Sequence, residues 1–461
     1  MLRWLSCVSC CRNGCPTDKR AATLVVEKVI AGRSIFVDDN ESFAAELGPT
    51  DATELQRLAV RSAGPLQATQ VAQAVDRSTY FQHEEAVPPR PPEPVMEPRF
   101  QALDTLRGLA ALWVSALHLE RGAFFLQGWN GAQAPALYLC VDFFLVLSGF
   151  VLSHGRTLHS GKRTATPASF VLQRLGRLWP LHAAAAATTL LARYMSGMLD
   201  SLPPYTVVCD AILEIAMLHN IGLPYPQGAY NNMPSWSVSC EFWISAAFGF
   251  CDPRDGFQVA LLAALGVLGQ WLVFISVGHL DVWNMNSWGF VNIGLVRCAS
   301  SFLLGVAGYW LHTNLQGARI SVVLGTVLEA VLSAAVVALI CVRDTHHSPA
   351  DFLAPWLFLL VVLCFAGQRG WLSQVFVRLR GIGTVSYSLY LNQWTVLLCM
   401  KMSGVFTVLE SSVVTAIATF WAVLVPYSCL TYLLIESPAL RLSRTKEAKL
   451  EPPKRRRLIQ L

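Results

Sequence analysis

The stretch Leu103–Leu119, LDTLRGLAALWVSALHL, decides how this chain is interpreted. It is apolar along most of its length, with Arg107 near its start and His118 near its end. At about 100° per residue, the two side chains are three turns plus about 20° apart, so they leave one face of a helix. At about 1.5 Å per residue, they lie about 16 Å apart along the axis. Such residues are costly in lipid, so the pair predicts a function.

The composition around this helix is typical of a membrane protein. Of 461 residues, 54% are hydrophobic and 14% are charged, and the mean hydropathy is +0.44. Soluble domains carry about 25% charged residues. The formal charge of +5 is modest, and the basic residues fall in short loops and at the C-terminus, as membrane topology requires. We therefore expect an integral, multi-pass membrane protein that does not bind nucleic acid.

A proline-rich segment at residues 87–98, VPPRPPEPVMEP, marks a boundary in the chain. Such a composition predicts a stiff, extended linker. Residues 1–96 are therefore expected to form a soluble or partly disordered extension, residues 97–440 the membrane domain, and residues 441–461 a basic cytoplasmic tail. Four of the 13 cysteines crowd the N-terminus, where S-acylation and plain disorder both remain open. No cysteine spacing predicts a metal site.

Ten apolar segments follow the linker, each near the roughly 17–25 residues that a spanning helix needs. They are 103–121, 136–155, 178–195, 234–250, 257–277, 293–312, 319–341, 352–367, 383–401 and 411–435. Lys and Arg cluster at 156–177, at 369–380 and in the tail, which places these three regions in the cytoplasm. An eleventh span at 205–223 would break this pattern, so 196–233 is expected to be an outer, re-entrant loop. The predicted fold is an all-α, polytopic bundle of about ten transmembrane helices with both termini cytoplasmic.

Two titratable residues on the first two spans are candidates for chemistry. A neutral imidazole at the depth of His118 can act as a general base on a hydroxyl, although a single buried histidine more often serves packing. Asp142 lies within an apolar run, where a carboxylate needs a partner, so we expect it to orient another group. Either Asp142 or Glu241 is expected to hold the His118 ring. Ser148 and Gly149, which follow it, favour close helix packing.

Arginines and a further glutamate complete the candidate site. Arg174 and Arg177 lie three apart on one helical face, which fits ordinary anchoring at the cytoplasmic border. With Arg107 they could equally form an anion site, because guanidinium groups bind phosphate in bidentate geometry. Glu241 lies about 10 Å into its predicted span, a depth similar to that of His118. It is expected either to orient the imidazole or to make a structural hydrogen bond.

Six motifs together resemble the acyltransferase 3 family of integral membrane acyltransferases, in that family's order. The first is LDTLRGLAALWVSALH, with the Arg-x10-His spacing at Arg107 and His118. The others are VDFFLVLSGFVLS, FVLQRLGRLWPLH, WSVSCE, VSYSLYL and IESP. The resemblance covers about residues 100–440.

The resemblance implies transfer of an acyl group, usually acetyl, from acyl-CoA to a hydroxyl of a sugar, glycan, lipid or secondary metabolite. It also implies a bundle of about ten helices, and it ties activity to His118 and Arg107. Acyl-CoA is the expected co-substrate, and no permanently bound cofactor is expected. The expected catalytic residues are His118, Arg107, Glu241 and Asp142, and the expected donor-binding residues are Arg107, Arg174 and Arg177.

Two features depart from the family pattern. Asn392 and Gln393 stand where the family usually has a histidine, and no soluble esterase-like domain follows the last span. The reaction is therefore expected to finish in the membrane domain or with a separate partner. Two other functions stay open: a multi-pass transporter that uses the same intramembrane charges, and a non-catalytic membrane scaffold.

Overall fold

The computed structural model describes the membrane domain and leaves gaps at several loops. The described residues are 100–123, 136–159, 166–223, 231–251, 253, 255–283, 286–287, 291–315, 320–341, 347–405 and 413–450. The predicted extension, with its cysteines, and residues 451–461 of the tail lie outside them.

Helices make up almost all of the described chain. In chain order they are α1 (Gln101–Ala123), α2 (Cys140–His159), α3 (Pro167–Met195), α4 (Pro204–Ile215), α5 (Ser235–Phe250), α6 (Gly256–Val277), α7 (Ile293–Leu315), α8 (Val322–Cys341), α9 (Ala354–Ala366), α10 (Trp371–Arg378), α11 (Gly381–Thr384), α12 (Ser386–Met402), α13 (Val413–Thr431) and α14 (Ser437–Leu450). Short 3₁₀ turns at Leu137–Leu139 and Pro349–Leu353 precede α2 and α9, and a π-helical turn at Tyr432–Glu436 joins α13 to α14. Two short antiparallel strands, β1 (Asn286–Ser287) and β2 (Val291–Asn292), precede α7.

Each of the ten predicted spans contains a helix, and the largest shift is at the start of α3. This helix begins at Pro167 rather than at residue 178. The Thr166 side chain accepts a hydrogen bond from the Ser169 N–H, and proline is well suited to the first helical turn. The helix therefore continues through the basic segment that charge placement had assigned to a loop. The predicted outer loop contains the short helix α4.

Six helical segments of the described chain are long and apolar enough to cross a membrane. They are Leu137–Arg156, Gly256–Val277, Ile293–Leu315, Val322–Cys341, Pro349–Ala366 and Val414–Ser443. The other four predicted spans are α1, α3, α5 and α12, of which α5 and α12 have only 16 and 17 residues. These four carry most of the candidate site residues. The exact number of spans and the cytoplasmic termini stay predictions.

The same four helices pack against one another inside the bundle. α12 lies against α1 and α3, and α3 lies against α5. Most side chains of α5 and α12 are buried, whereas α6 and α8 expose long rows of apolar side chains. Polar residues are tolerated on the buried faces of these helices because protein rather than lipid surrounds them there.

Glycines bring α2 and α7 into direct backbone contact. A Cβ atom built on Gly149 would lie 2.0 Å from the Phe302 carbonyl oxygen. A Cβ atom built on Gly305 would lie 2.0 Å from the Val146 carbonyl oxygen. Only residues without a side chain allow this approach, so the packing role predicted for Gly149 is confirmed.

Candidate active site

A cavity of about 120 Å³ lies where α1, α2, α3, α5 and α12 meet. This volume exceeds the roughly 10–15 Å³ that a single water needs. Its polar lining residues are Arg107, Ser148, Arg174, Arg177, Ser237, Glu241, Ser386, Tyr387 and Tyr390. We call it the arginine cavity. The structure thus brings together the three arginines that the sequence had grouped as an anion site.

Arg107 is held at the wall of this cavity by the segment that leads into α12. Its Nε donates to Ser386 Oγ at 2.8 Å, and its Nη2 donates to the Gly383 carbonyl at 2.7 Å. Asp104, one turn earlier on α1, lies 3.5 Å from the same Nη2. Gly383 fits because a Cβ there would lie 2.0 Å from the Asp104 carbonyl oxygen. The guanidinium is therefore fixed by two elements far apart in sequence.

Arg174 and Glu241 form an ion pair across α3 and α5. Arg174 Nη2 donates to Glu241 Oε1 at 2.5 Å, and Ser148 Oγ donates to the same oxygen at 2.8 Å. A longer hydrogen bond of 3.4 Å joins Arg174 Nε to Ser245 Oγ. The packing role predicted for Ser148 did not include this contact of its hydroxyl with Glu241. Glu241 Oε2 makes no hydrogen bond with any residue that the structure describes.

Arg177 lies one turn beyond Arg174 and is exposed at the cavity. It forms no hydrogen bond or ion pair with any residue in the described ranges. The charged groups that line the cavity are Arg107, Arg174, Arg177 and Glu241, three cations and one anion. This balance favours an anionic ligand, and the planar guanidinium groups suit phosphate.

The VSYSLYL segment supplies the remaining polar wall of the cavity. The Tyr387 hydroxyl donates to the Leu178 carbonyl at 2.7 Å, which ties α12 to α3. The hydroxyls of Tyr390 and Ser237 lie 2.7 Å apart. The sequence analysis used this segment only as a family motif and gave its residues no contacts, because their partners lie more than 150 positions away.

His118 lies three turns further along α1 and does not line the arginine cavity. It is buried, and its ring meets Trp394 of α12 edge-on with centroids 6.0 Å apart. The separation of about 16 Å from Arg107 follows from the rise of a straight helix. The two residues therefore have different surroundings: Arg107 lies among arginines, and His118 packs against an aromatic ring.

Neither candidate carboxylate holds the His118 ring. Glu241 binds Arg174 and Ser148, as described above. Asp142 binds Arg297 of α7 at 2.6 Å and accepts a hydrogen bond from Ser301 at 2.8 Å. The expectation that either carboxylate orients the imidazole is therefore corrected. A buried carboxylate gains most from a permanent cation, and arginine offers several donors as well as charge. Arg297 was missed because it is 155 residues from Asp142.

A second buried polar cluster lies where α4 and the start of α5 meet α3. Ser235 Oγ lies 3.0 Å from Glu214 Oε1 and 3.1 Å from His219 Nε2. The Asn232 backbone N–H donates to Glu214, and His182 Nε2 lies 2.7 Å from the Glu214 carbonyl oxygen. Burial raises the pKa of Glu214 to about 7, although hydrogen bonds from Ser235 and Asn232 oppose the rise. Burial and the neighbouring His182 lower the pKa of His219 to about 3.

No group of three or more His, Cys, Asp or Glu residues in the described part of the chain could hold a metal ion.

Comparisons with known proteins point to acyl transfer. The family model described as an acyltransferase domain matches residues 100–433. A protein of Rhizobium radiobacter named "Protein 2 in picA locus" is 43% identical over 187 residues, which cover 37% of this chain and 90% of that protein. Acyltransferase MdmB of Streptomyces mycarofaciens is 32% identical over 162 residues, which cover 33% of this chain and 40% of that protein. No solved structure matches the chain.

Proposed function

The chain belongs to the acyltransferase 3 family and is an integral membrane acyltransferase, and we propose that it transfers an acetyl group from acetyl-CoA to a hydroxyl of an organic acceptor. The acceptor classes that fit are sugars, glycans, lipids and secondary metabolites. The observation that carries the donor assignment is the arginine cavity, with three guanidinium groups and one carboxylate in its lining.

The arginine cavity suits the phosphate groups of coenzyme A. Arg107 is fixed in place, and its side chain is half-buried. Arg177 is exposed and engages none of the described residues, so it can turn to an incoming phosphate at no cost in broken contacts. Charge-assisted hydrogen bonds of this kind contribute roughly 1.5–3 kcal/mol each.

Arg174 and Glu241 have complementary roles in this proposal. Arg174 supplies the third guanidinium, and Glu241 keeps it in place and limits the repulsion among three neighbouring cations. When an anion binds, Arg174 can interact with the anion as well as with Glu241. Glu241 therefore acts on the donor side, through Arg174, rather than on His118.

His118 is the proposed general base. It lies on the same face of α1 as Arg107, about 16 Å further along the axis. Coenzyme A has a long, flexible arm between its phosphates and its thioester, so phosphates held at Arg107 leave the thioester free to reach the region of His118. The imidazole takes the proton of the acceptor hydroxyl, the hydroxyl oxygen attacks the thioester carbonyl, and the C–S bond breaks to release the coenzyme A thiolate. The proton then passes from the imidazole to that thiolate, which restores the base.

Two variants test this assignment in the purified full-length chain. His118→Ala should abolish transfer of radiolabelled acetyl from acetyl-CoA to a membrane extract, yet it should bind acetyl-CoA as the wild type does. Arg107→Ala should lose both transfer and binding. Arg380→Ala, which removes an exposed arginine outside the cavity, is the matched control and should behave as the wild type. Full transfer activity in either His118→Ala or Arg107→Ala would refute the scheme.

A further inference from the structure

Trp394 is the aromatic residue of α12 that lies beside the proposed base. Its ring meets the His118 ring edge-on with the centroids 6.0 Å apart, a separation typical of packed aromatic rings. His118 is buried, whereas Trp394 is half-buried. A group that reacts at His118 must come within hydrogen-bond reach of the imidazole. The indole therefore forms a wall of the space in which that group has to fit.

One face of α12 joins Trp394 to the arginine cavity. Tyr387, Tyr390 and Trp394 follow one another at spacings of three and four residues, so their side chains leave the same face of the helix. The two tyrosines line the arginine cavity, and Trp394 lies one turn, about 6 Å, beyond Tyr390. This aromatic face leads from the cavity toward His118, as does the face of α1 that carries Arg107 and His118.

Phe144 of α2 connects the same two regions from the opposite side. It lines the arginine cavity, and its ring meets Tyr390 edge-on with the centroids 5.4 Å apart. Phe144 and Trp394 also pack against one buried apolar cluster of α1, α12 and α13, which includes Leu119 and Leu397. An acyl group that passes the Tyr390 end of the cavity therefore meets apolar side chains, with Trp394 next to the base.

We propose that Trp394 limits the length of the acyl group that the protein transfers. The thioester carbonyl has to lie beside His118 when the acceptor hydroxyl attacks it, so the carbon chain beyond the carbonyl lies against the indole. An acetyl group has a single methyl there, whereas a butyryl group adds two methylenes and has to displace a packed ring, which is costly. This inference rests on the proposed acetyl transfer and extends it by naming the residue that restricts the donor to a short acyl group.

The test compares two donors that differ only in acyl length. The purified full-length chain receives radiolabelled acetyl-CoA or butyryl-CoA with a membrane extract, and the apparent kcat/KM is measured for each donor. The wild type should prefer acetyl-CoA at least about tenfold, because an apolar pocket distinguishes one methylene by about 10- to 200-fold. Trp394→Ala should reduce this preference to about threefold or less by raising kcat/KM for butyryl-CoA. Equal use of both donors by the wild type, or a full acetyl preference in Trp394→Ala, would overturn the proposal.

Further variants separate the size of the indole from its other properties. Trp394→Phe keeps a large ring and should keep most of the acetyl preference, and Trp394→Leu, which leaves a smaller void than alanine if that variant does not fold, should be intermediate. Trp113→Ala is the matched control, because it removes a half-buried indole from another face of α1 and should behave as the wild type. A Trp394→Phe or Trp113→Ala variant that accepts butyryl-CoA as well as Trp394→Ala does would contradict the proposal.

The outcomes distinguish this inference from the proposed function. If the wild type transfers no acyl group from either donor, the proposed function fails and this inference fails with it. If the wild type transfers acetyl and neither Trp394→Ala nor Trp394→Leu gains butyryl transfer, this inference alone fails. Butyryl transfer that Trp394→Ala gains, and that the double variant with His118→Ala loses again, supports both.

Discussion

Two arginine–carboxylate pairs in the interior of this protein differ in what surrounds them. The Arg297–Asp142 pair is almost fully enclosed, with side chains 2% and 1% exposed. Arg297 also donates to the carbonyls of Val282 and Tyr138. In the Arg174–Glu241 pair, the side chains are 8% and 22% exposed and line the arginine cavity.

The difference separates a fully enclosed pair from one that a ligand in the cavity can reach. Both oxygens of Asp142 are used: Arg297 contacts both, and Ser301 donates to Oδ1. In contrast, both partners of Glu241 bind its Oε1. A buried pair whose groups are all satisfied fixes helices but has nothing to offer a ligand. A pair beside a cavity, with an oxygen to spare, can exchange partners when a charged substrate arrives.

The largest effect expected from this comparison is on stability. Asp142→Ala leaves the Arg297 charge buried and unpaired, which should lower the free energy of unfolding by about 3–5 kcal/mol. Thermal unfolding of the full-length protein in detergent measures it. A double variant that also replaces Arg297 with Met should recover part of the loss, because no bare charge remains. If Asp142→Ala had the same unfolding midpoint as the wild type, the Arg297–Asp142 pair would not be needed to stabilise the fold, and the contrast with Arg174–Glu241 would be lost.

The next effect is on activity. Glu241→Gln keeps the size of the side chain but removes the charge that holds Arg174, so acetyl transfer should fall about 10- to 100-fold in kcat/KM. The unfolding midpoint should fall less than in Asp142→Ala. Ser245→Ala removes the 3.4 Å contact to Arg174 and a 2.9 Å hydrogen bond to the Phe242 carbonyl of its own helix, and it should keep transfer within about twofold. Wild-type transfer by Glu241→Gln would make the second pair structural as well.

A smaller effect is expected at Arg177, the arginine of the cavity without a described partner. Arg177→Ala should raise the KM for acetyl-CoA about tenfold, which corresponds to about 1.4 kcal/mol, and leave the unfolding midpoint unchanged. Acetyl-pantetheine, which lacks the nucleotide phosphates, should show the same KM with both proteins. A KM increase for that phosphate-poor donor would argue against a phosphate contact.

A third buried carboxylate, Glu214, extends the comparison to a group that titrates near neutral pH. Burial raises its pKa from 4.5 to about 7, so between these values the folded state holds a proton that the unfolded chain has lost. This contribution to stability therefore declines as pH rises from about 4.5 to 7. Burial lowers the pKa of His219 from 6.5 to about 3, and stability from that source rises with pH over this range.

These opposite slopes give Glu214→Gln a distinct signature. Between about pH 4.5 and 6.5 the contribution of Glu214 opposes that of His219 in the wild type, so the unfolding midpoint should rise with pH less steeply than in a variant without the Glu214 carboxyl. Glu214→Gln removes the declining contribution, and its midpoint should rise with pH up to about 6.5. Differential scanning fluorimetry across this range measures both profiles. Parallel profiles would mean that Glu214 does not titrate in the folded protein at these pH values.

Local sequence features were sufficient to predict the helices and the arginine side of the candidate site. The shared face of Arg107 and His118 on α1 follows from helix geometry, and the grouping of Arg107, Arg174 and Arg177 follows from charge placement. The first prediction depends on residues close in sequence, and the second depends on the positive-inside rule, which applies to whole loops. The resemblance to the acyltransferase 3 family, which the family match over residues 100–433 confirms, also depended on short segments taken in order.

The pairing of carboxylates could not be predicted in the same way. Glu241 was assigned to His118 because the two lie at a similar depth along their helices, and Asp142 because a buried carboxylate needs a partner. Depth says nothing about direction around the bundle, and the structure turns these residues toward Arg297 and Arg174 instead. For the same reason, the role of Ser148 and the contacts of Ser386 with Arg107 were not visible in sequence.

The glycine contact between α2 and α7 has a mechanical consequence. Backbones that touch at Gly149 and Gly305 cannot slide or tilt without a clash, so the two helices should move as one stiff body. Because Ser148, next to Gly149, forms one wall of the arginine cavity, any widening on donor binding must come from the facing α1, α3, α5 and α12. Spin labels on α2 and α7 should therefore keep their separation when acetyl-CoA is added, while labels on α2 and α3 change theirs. A changed separation between the labels on α2 and α7 would mean that the two helices hinge at their glycine contact.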